Sequence, residues 1–154
     1  MTDLDAIDRR ILTELQADAR ISNAALAEAV GLSPSPCLRR VRALEREGVV
    51  KGYAALLEAA AVGLPISVFV QVTLERQIEQ ALETFETAIL DRPEVMECYL
   101  MTGEFDYLLR VVVADMADFE RIHKEGLTRL PGVARVNSSV AIRTVLKKTE
   151  LPLR

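Results

Sequence analysis

The sequence predicts an α+β chain built from two modules, three helices first and a βαββαβ unit after them. Up to residue 47, apolar residues recur every three or four positions, as on helices that bury one face. From residue 66 onward, stretches of alternating apolar residues, typical of strands, are interleaved with two more helical stretches. The chain has 154 residues, which is enough for two small domains.

Two helices are predicted at the start of the chain. The first covers residues 4–17, where the apolar side chains are spaced three or four apart. Ser22 or Asn23 can cap a short second helix, because serine and asparagine oxygens accept hydrogen bonds from the first turn. Gly31 stands where a left-handed C-terminal cap is expected.

A third helix follows after a short turn. Ser33 can cap it, and Pro34 falls in the first turn, where a missing N–H has no cost. This helix is expected to run to Glu47. Short β-rich runs on either side of Gly52 then predict a two-stranded wing over residues 49–57. Three helices and a wing in this order are typical of a winged helix-turn-helix that binds DNA.

The second module begins after a segment of small residues with Gly and Pro, which predicts a linker. Its strand, helix, two hairpin-linked strands, helix and final strand correspond to the split βαβ or ferredoxin-like arrangement. The hairpin connection is expected at Gly103 and Glu104. The predicted domains are therefore a DNA-binding domain at 1–57, a linker at 58–65 and a ferredoxin-like domain at 66–154.

A ferredoxin-like sheet carries helices on one face only, so its other face meets either solvent or another chain. Apolar residues such as Phe69, Leu108 and Val112 occupy the strand positions that alternate with the core set. Apolar side chains on both faces favour a second copy as the cover. We therefore expect a homodimer formed through the second module.

The charge distribution favours a site-specific DNA-binding protein. The whole chain has a net charge of −4, which argues against coating of nucleic acid by bulk electrostatics. Between Ser33 and Lys51, however, five basic residues stand against two acidic ones, so the rest of the chain carries −7. A short basic stripe on an acidic chain gives local affinity for phosphates without affinity elsewhere.

The third helix is the predicted recognition helix. A turn of 100° per residue is expected to bring its basic side chains into one broad arc opposite an apolar arc. The N-terminal part of such a helix enters the major groove of double-stranded DNA. We assign the base edges or nearby phosphates to Ser33, Ser35, Arg39 and Arg40, and phosphates to Arg42, Arg46 and Lys51. A cationic face that is merely solvated is the alternative, which the order of caps, turn and wing disfavours.

Other classes of function have little support in the sequence. Cys37 and Cys98 lack the spacing of a zinc site, and His123 is the single histidine, so no metal site is expected. No trio of nucleophile, base and orienting residue can be assembled, which leaves an amino-acid-metabolising enzyme as a weak alternative without catalytic residues. No 18-residue apolar run and no charged leader is present, so we expect a cytoplasmic, nucleoid-associated protein with no membrane contact.

Four stretches of the sequence resemble one family of regulators, the Lrp/AsnC (leucine-responsive and asparagine-regulator) transcription factors. The resemblance covers nearly the whole chain and is closest to the leucine-responsive members. The stretches are LDAIDRRIL (4–12), ISNAALAEAVGLSPSPCLRRVRALEREGVVKGYAALL (21–57), CYLMTGEFDYLLRV (98–111) and LPGV (130–133).

The resemblance implies that the second module is an amino-acid-sensing and assembly domain of the RAM type. Dimers would associate further, commonly to an octamer, with the effector bound between dimers and with no other cofactor. Leucine, methionine or another apolar amino acid is the favoured effector. The implied effector-binding residues are Met101, Thr102, Gly103, Glu104, Phe105, Asp106 and Tyr107, together with Ser138 and Ser139 of a neighbouring dimer.

The residue types of this loop suit the binding of an amino acid. A glycine at position 103 allows close approach of the backbone to a ligand, and exposed N–H groups can bind an α-carboxylate. The Asp106 carboxylate can accept hydrogen bonds from an α-ammonium. The implied function is regulation of amino-acid metabolism by effector-dependent assembly on DNA. The alternative is an architectural protein that wraps or bends DNA and responds to no ligand.

Overall fold

The computed structural model describes residues 3–153, which divide into two compact units. The first contains the chain up to Ala55 together with the segment from Val145 onward, and the second spans Leu56–Thr144. The sequence assigned the final segment to the second module. The structure packs it on the first unit, because Leu151 and Leu153 contact the helices there.

The three helices of the first unit are α1 (Ala6–Ala17), α2 (Asn23–Val30) and α3 (Pro34–Arg46). Each agrees with its predicted range to within two residues at both ends. Ser33 occupies the N-cap position of α3 as predicted, but its side chain makes no capping hydrogen bond. The Ser22 hydroxyl accepts from the N–H of Ala25, and Gly31 adopts a left-handed conformation with φ 74°. These two caps fix the turn that separates α2 from α3.

The two-stranded wing predicted over residues 49–57 is wrong in detail, since this segment contains no strand. The N–H groups of Val49 and Val50 both donate to the carbonyl of Leu44, at 2.9 and 3.1 Å, after Gly48 turns with φ 72°. These N–H groups therefore cap the C-terminus of α3 and are not available for hydrogen bonds in a hairpin. The wing is an irregular, exposed segment.

The core of the first unit is apolar and joins all three helices. Its buried members are Ile11, Leu12, Leu26, Ala27, Val30, Cys37 and Leu44. The C-terminal segment adds to this core, because Leu153 packs against it and Gln16 pairs with the backbone of Leu151. The Gln16 amide accepts from the Leu151 N–H at 2.6 Å and donates to the Leu151 carbonyl at 3.2 Å.

The second unit has the predicted βαββαβ order and confirms the ferredoxin-like fold. The elements are β1 (Ile66–Leu74), α4 (Glu79–Leu90), β2 (Val95–Leu100), β3 (Tyr107–Val113), α5 (Met116–Glu125) and β4 (Val133–Val140). The four strands form an antiparallel sheet in the order β2-β3-β1-β4, so the strands of the first βαβ half alternate with those of the second.

Helix α5 ends before Gly126, and a 3-10 turn follows over Leu127–Arg129. Glycine is a weak helix former, and the Thr128 hydroxyl donates to the carbonyls of His123 and Lys124 in place of the helical ladder. The helix therefore stops one 3-10 turn before the final strand begins.

The sheet buries one face and leaves the other open. Alternate residues of the central strands β1 and β3, such as Val70 and Leu109, are fully buried beneath the helices. On the open face, Phe69 is 40% and Tyr99 52% exposed, and Arg110 pairs with Glu97 at 2.7 Å. An apolar surface therefore remains on the sheet face that carries no helix.

Candidate DNA-binding helix and effector loop

Helix α3 presents a narrow cationic face to solvent. Ser35, Arg39, Arg42 and Arg46 are all exposed and fall within roughly 60° of helix circumference at 100° per residue. This arc lies opposite Cys37 and Leu44, the two side chains that α3 buries. Ser33 occupies the N-cap position and Lys51 the wing, and both are exposed.

Arg40 does not belong to this face, and its expected place among the base-contacting residues needs correction. It lies about 100° round the helix from Arg39, beside the packing arc. Its Nη1 is 2.7 Å from Asp5 Oδ2 and 2.8 Å from Asp8 Oδ1, both at the start of α1. The guanidinium is therefore engaged with two carboxylates of its own domain.

The two carboxylates that meet Arg40 also cap α1. The Asp8 N–H donates to Asp5 Oδ1 at 2.8 Å, and the Asp5 N–H donates to Asp8 Oδ2 at 3.3 Å. The Asp8 N–H and then the Arg40 guanidinium hold the pKa of Asp5 below its usual value. Each aspartate thus uses one oxygen for the cap and the other for Arg40.

Polar contacts also hold both ends of α3. At its start, the side-chain amide of Asn23 donates to the carbonyl of Pro34 at 2.8 Å across the helix-turn-helix turn. Near its end, the Tyr53 hydroxyl donates to Glu45 at 2.8 Å. Burial and the Glu45 carboxylate raise the pKa of Tyr53 to about 12, so this donor stays protonated. Asn23 was predicted only as a candidate cap of α2, and its contact with Pro34 is a further role.

The implied effector loop is a six-residue connection between β2 and β3. Met101 to Glu104 are exposed, and Gly103 has φ 123°, a backbone conformation that side chains rarely adopt. The Met101 N–H donates to the Asp106 carbonyl at 2.8 Å, which closes the loop at its base. The loop is thus closed by a hydrogen bond at its base and exposed to solvent at its tip.

Asp106 joins this loop to the neighbouring strand β1. Its Oδ2 accepts from the N–H of Leu74 at 2.7 Å, and its own N–H donates to the carbonyl of Val72 at 2.9 Å. The carboxylate is half-buried and has no ion-pair partner within the described residues. One oxygen therefore has a structural role, and the negative charge is not neutralised by a cation.

Tyr107 was expected in the effector loop, but its side chain lies in the core and needs to be removed from the site. It is 1% exposed, and its ring lies against Phe85 with centroids 4.5 Å apart. Its hydroxyl donates to Glu86 at 2.7 Å, and burial with this carboxylate raises the pKa of Tyr107 well above its usual value. Strand alternation explains the difference, since position 107 shares a face with buried Leu109.

Ser138 and Ser139 are separated from one another by the same alternation. In β4, Ser138 pairs with core-facing Val70, and Ser139 pairs with Phe69 of the open face. The Ser138 hydroxyl is buried without a hydrogen-bond partner within the described residues. It borders a cavity of about 450 Å³ between α5 and β4. A single chain makes no hydrogen bond between either serine and the loop in the part described.

Within residues 3–153, no group of three or more His, Cys, Asp or Glu side chains is placed to hold a metal ion. The helices described are too short and too polar to cross a membrane. Burial and the nearby Glu86 raise the pKa of the Cys98 thiol to about 11, which disfavours a reactive thiolate.

A helix-turn-helix with a cationic recognition helix, joined to a ferredoxin-like unit with an exposed acidic loop, defines a DNA-binding protein with a separate ligand-binding unit. Family comparisons agree with this class. Residues 4–51 match a winged helix-turn-helix DNA-binding model, and residues 67–151 match the Lrp/AsnC ligand binding domain. The chain belongs to the Lrp/AsnC family, which confirms the resemblance seen in the sequence.

Individual relatives match over almost their full length. The chain is 46% identical to the leucine-responsive regulatory protein of Escherichia coli K12, covering 99% of this chain and 93% of that one. A transcriptional regulator from Neisseria meningitidis, solved as its L-Met complex, is 40% identical with a TM-score of 0.92 and 97% coverage of both chains. An AsnC family regulator from Agrobacterium tumefaciens is 38% identical, with a TM-score of 0.91 and 96% coverage of both.

Proposed function

We propose that this protein is a transcriptional regulator that binds specific DNA sequences and whose DNA binding responds to a small amino acid. The observation that carries the proposal is the cationic arc of α3, which lies opposite the buried side of the helix. Among residues 3–153, no carboxylate pairs with Arg39 or Arg42 of this arc. Such an arc can enter a major groove without disturbing the core of the domain.

The proposed DNA contacts divide along α3. Arg39 lies in the N-terminal half with Ser33 and Ser35, where a recognition helix reaches base edges. Arg42 and Arg46 lie toward the C-terminus, and together with Lys51 they are proposed to bind phosphates. Arg40 is left out of both groups because its guanidinium is engaged with α1.

For the effector we propose an apolar amino acid, with leucine and methionine favoured. Support comes from two sources: a relative whose name is leucine-responsive and a related structure that contains L-Met. The loop offers open backbone N–H groups for an α-carboxylate and the unpaired charge of Asp106 for an α-ammonium. Met101, Thr102, Gly103, Glu104 and Phe105 complete the proposed loop site.

We further propose that another copy of the chain contributes residues to the effector site. Ser138 and Ser139 lie on β4 and make no hydrogen bond to the loop of their own chain. A homodimer covering the open sheet face, associated into an octamer, would bring loops and strands of different chains together. This arrangement makes assembly and effector binding one linked equilibrium. The protein is proposed to have no enzymatic activity and to act in the cytoplasm on the nucleoid.

The experiment is selection of duplexes from a random-sequence pool by the purified protein, followed by binding and sedimentation measurements with each of the twenty amino acids. We expect enrichment of a two-fold symmetric sequence and a change in affinity or assembly with leucine or methionine. Failure to enrich any sequence would overturn specific DNA binding. Enrichment without a response to any amino acid would overturn sensing and favour the ligand-indifferent architectural alternative.

A further inference from the structure

Apolar contacts hold one side of helix α3 in its domain. Along its thirteen residues Cys37 and Leu44 are buried, seven positions apart on one side of the helix. Val41 lies between them and packs partly buried against the same core. Apolar packing is non-directional and permits small rotations, whereas hydrogen-bonded ion pairs fix direction.

Arg40 lies midway between these two anchors and supplies a directional contact. A single nitrogen, Nη1, reaches one oxygen of Asp5 and one of Asp8, at 2.7 and 2.8 Å. Because those aspartates also bond each other's backbone N–H groups, they are fixed relative to the α1 backbone. The helix that faces DNA is therefore tied to the first turn of α1 through two charges.

The tie is favoured by its partial burial. The Arg40 side chain is 32% exposed and that of Asp8 16%, so solvent screens this pair less than a fully exposed one. By contrast, the distance from Arg46 to Glu47 is 4.0 Å and the side chain of Arg46 is 75% exposed. The basic residues of α3 thus fall into two sets: those that face solvent, and Arg40, which is bound inside the domain.

We propose that Arg40 is a positioning residue for sequence-specific DNA binding: through Asp5 and Asp8 it sets the rotation of α3 so that Arg39 reaches the base edges. This inference rests on the proposed DNA binding. A positioning residue and a phosphate-binding residue have different effects on DNA binding. A positioning residue changes the fit of the helix to the bases, whereas the number of phosphates neutralised by the protein stays the same.

The test uses the full-length protein, a duplex selected by the wild type, and a duplex from the unselected pool. We expect Arg40→Gln to lower the ratio of selected to unselected affinity about tenfold, the scale of one lost base contact. The slope of log affinity against log salt is expected to stay unchanged. Arg40→Lys is expected to restore part of the ratio, because one ammonium can bridge both carboxylates.

A double-mutant cycle tests the route through α1. The pair Asp5→Asn and Asp8→Asn keeps side-chain oxygens for the cap and removes both charges. It is expected to lower the ratio as Arg40→Gln does, and adding Arg40→Gln to it is expected to change nothing further. Asp3→Asn, an exposed aspartate outside the ion pair, is the matched charge control and is expected to behave as wild type.

Three results would overturn the inference. Additive losses in the cycle would mean that Arg40 acts without the aspartates. Equal loss on both duplexes, with the salt slope reduced by about 1, would make Arg40 a phosphate contact. An unchanged ratio in Arg40→Gln, with melting curves showing a folded protein, would leave the ion pair without influence on recognition. Absence of selective binding by the wild type would instead defeat the proposed function itself.

Discussion

The recognition helix and the 101–106 loop differ in how much of each site one chain supplies. On α3, four exposed side chains lie on one face of one rigid element, and contacts within the same domain fix that element at its start, middle and end. Around the loop, the residues implied in effector binding are divided between the β2–β3 connection and two faces of β4. The surface proposed to read DNA is thus built within one domain, whereas the proposed sensing site is expected to need residues from another copy of the chain.

The largest expected effect comes from breaking assembly at the open sheet face. Phe69→Glu puts a carboxylate on that face and is expected to yield monomers, because an apolar cover would have to bury a charge. Affinity for a two-fold symmetric duplex should fall about 100-fold or more as bivalent binding is lost. Sedimentation and binding to the selected duplex measure both effects.

Leu90→Glu is the matched control for this change, since Leu90 is 83% exposed at the end of α4, away from the open face. It should leave assembly unaltered. Dimers that persist in Phe69→Glu would contradict the proposed interface and also the dependence of sensing on it.

The next largest effect is expected for substitutions of arginines on α3, which test the proposed division between base and phosphate contacts. Arg39→Ala is expected to weaken binding to the selected duplex by about 1–3 kcal/mol and to relax the sequence preference. Arg46→Ala should weaken selected and unselected duplexes equally and reduce the salt slope by about 1. Titrations at several salt concentrations separate the two. Identical, sequence-independent losses would show that the division of α3 into base and phosphate contacts is wrong.

On the sensing side, Asp106→Asn keeps an oxygen that can accept from the Leu74 N–H and removes the charge proposed to bind an ammonium. Effector affinity should fall about tenfold or more, the scale of a lost charge-assisted hydrogen bond, while basal DNA binding persists. Calorimetric titration with leucine and methionine measures this. Glu83→Gln, an exposed carboxylate on α4 outside the loop, is the control for charge, and an unaltered response in Asp106→Asn would place the ammonium elsewhere.

The smallest effect concerns the C-terminal segment. Leu153→Ala should lower the stability of the first unit by about 1 kcal/mol, because the side chain packs against its core. Leu151 is 71% exposed and its backbone bonds to the Gln16 side chain, so Leu151→Ala should cost within about 0.5 kcal/mol. Hydrogen exchange of the α1 amides measures this difference in stability between the two variants. Equal protection in both variants would contradict the packing role of Leu153.

Local signals explain what the sequence predicted well. Caps such as Ser22 and Gly31 act within a few residues, so the bounds of α1, α2 and α3 followed from nearby residues. Strand alternation and the turn at Gly103 predicted the order of the second unit. The exposed face of α3 followed in turn from helical periodicity, with Arg40 as the exception.

Long-range contacts explain what was missed. Arg40 meets carboxylates more than thirty positions earlier in the chain, and no local pattern announces that pairing. Tyr107 was placed in the loop because sequence motifs do not show which strand face a terminal residue takes. Residues 49–57 contain no strands because the N–H groups of Val49 and Val50 bond to the carbonyl of Leu44, and β-propensity does not take this competition into account.

The packing of Leu151 and Leu153 on the first unit has a consequence for biosynthesis. A ribosome completes α1 to α3 early, but it delivers these two leucines only after the whole second unit has been translated. At about 5–20 residues per second, the nascent DNA-binding domain exists for roughly 5 to 20 s before Leu153 can pack against its core. Final closure of the domain that binds DNA is thus timed by translation of the domain proposed to bind the effector.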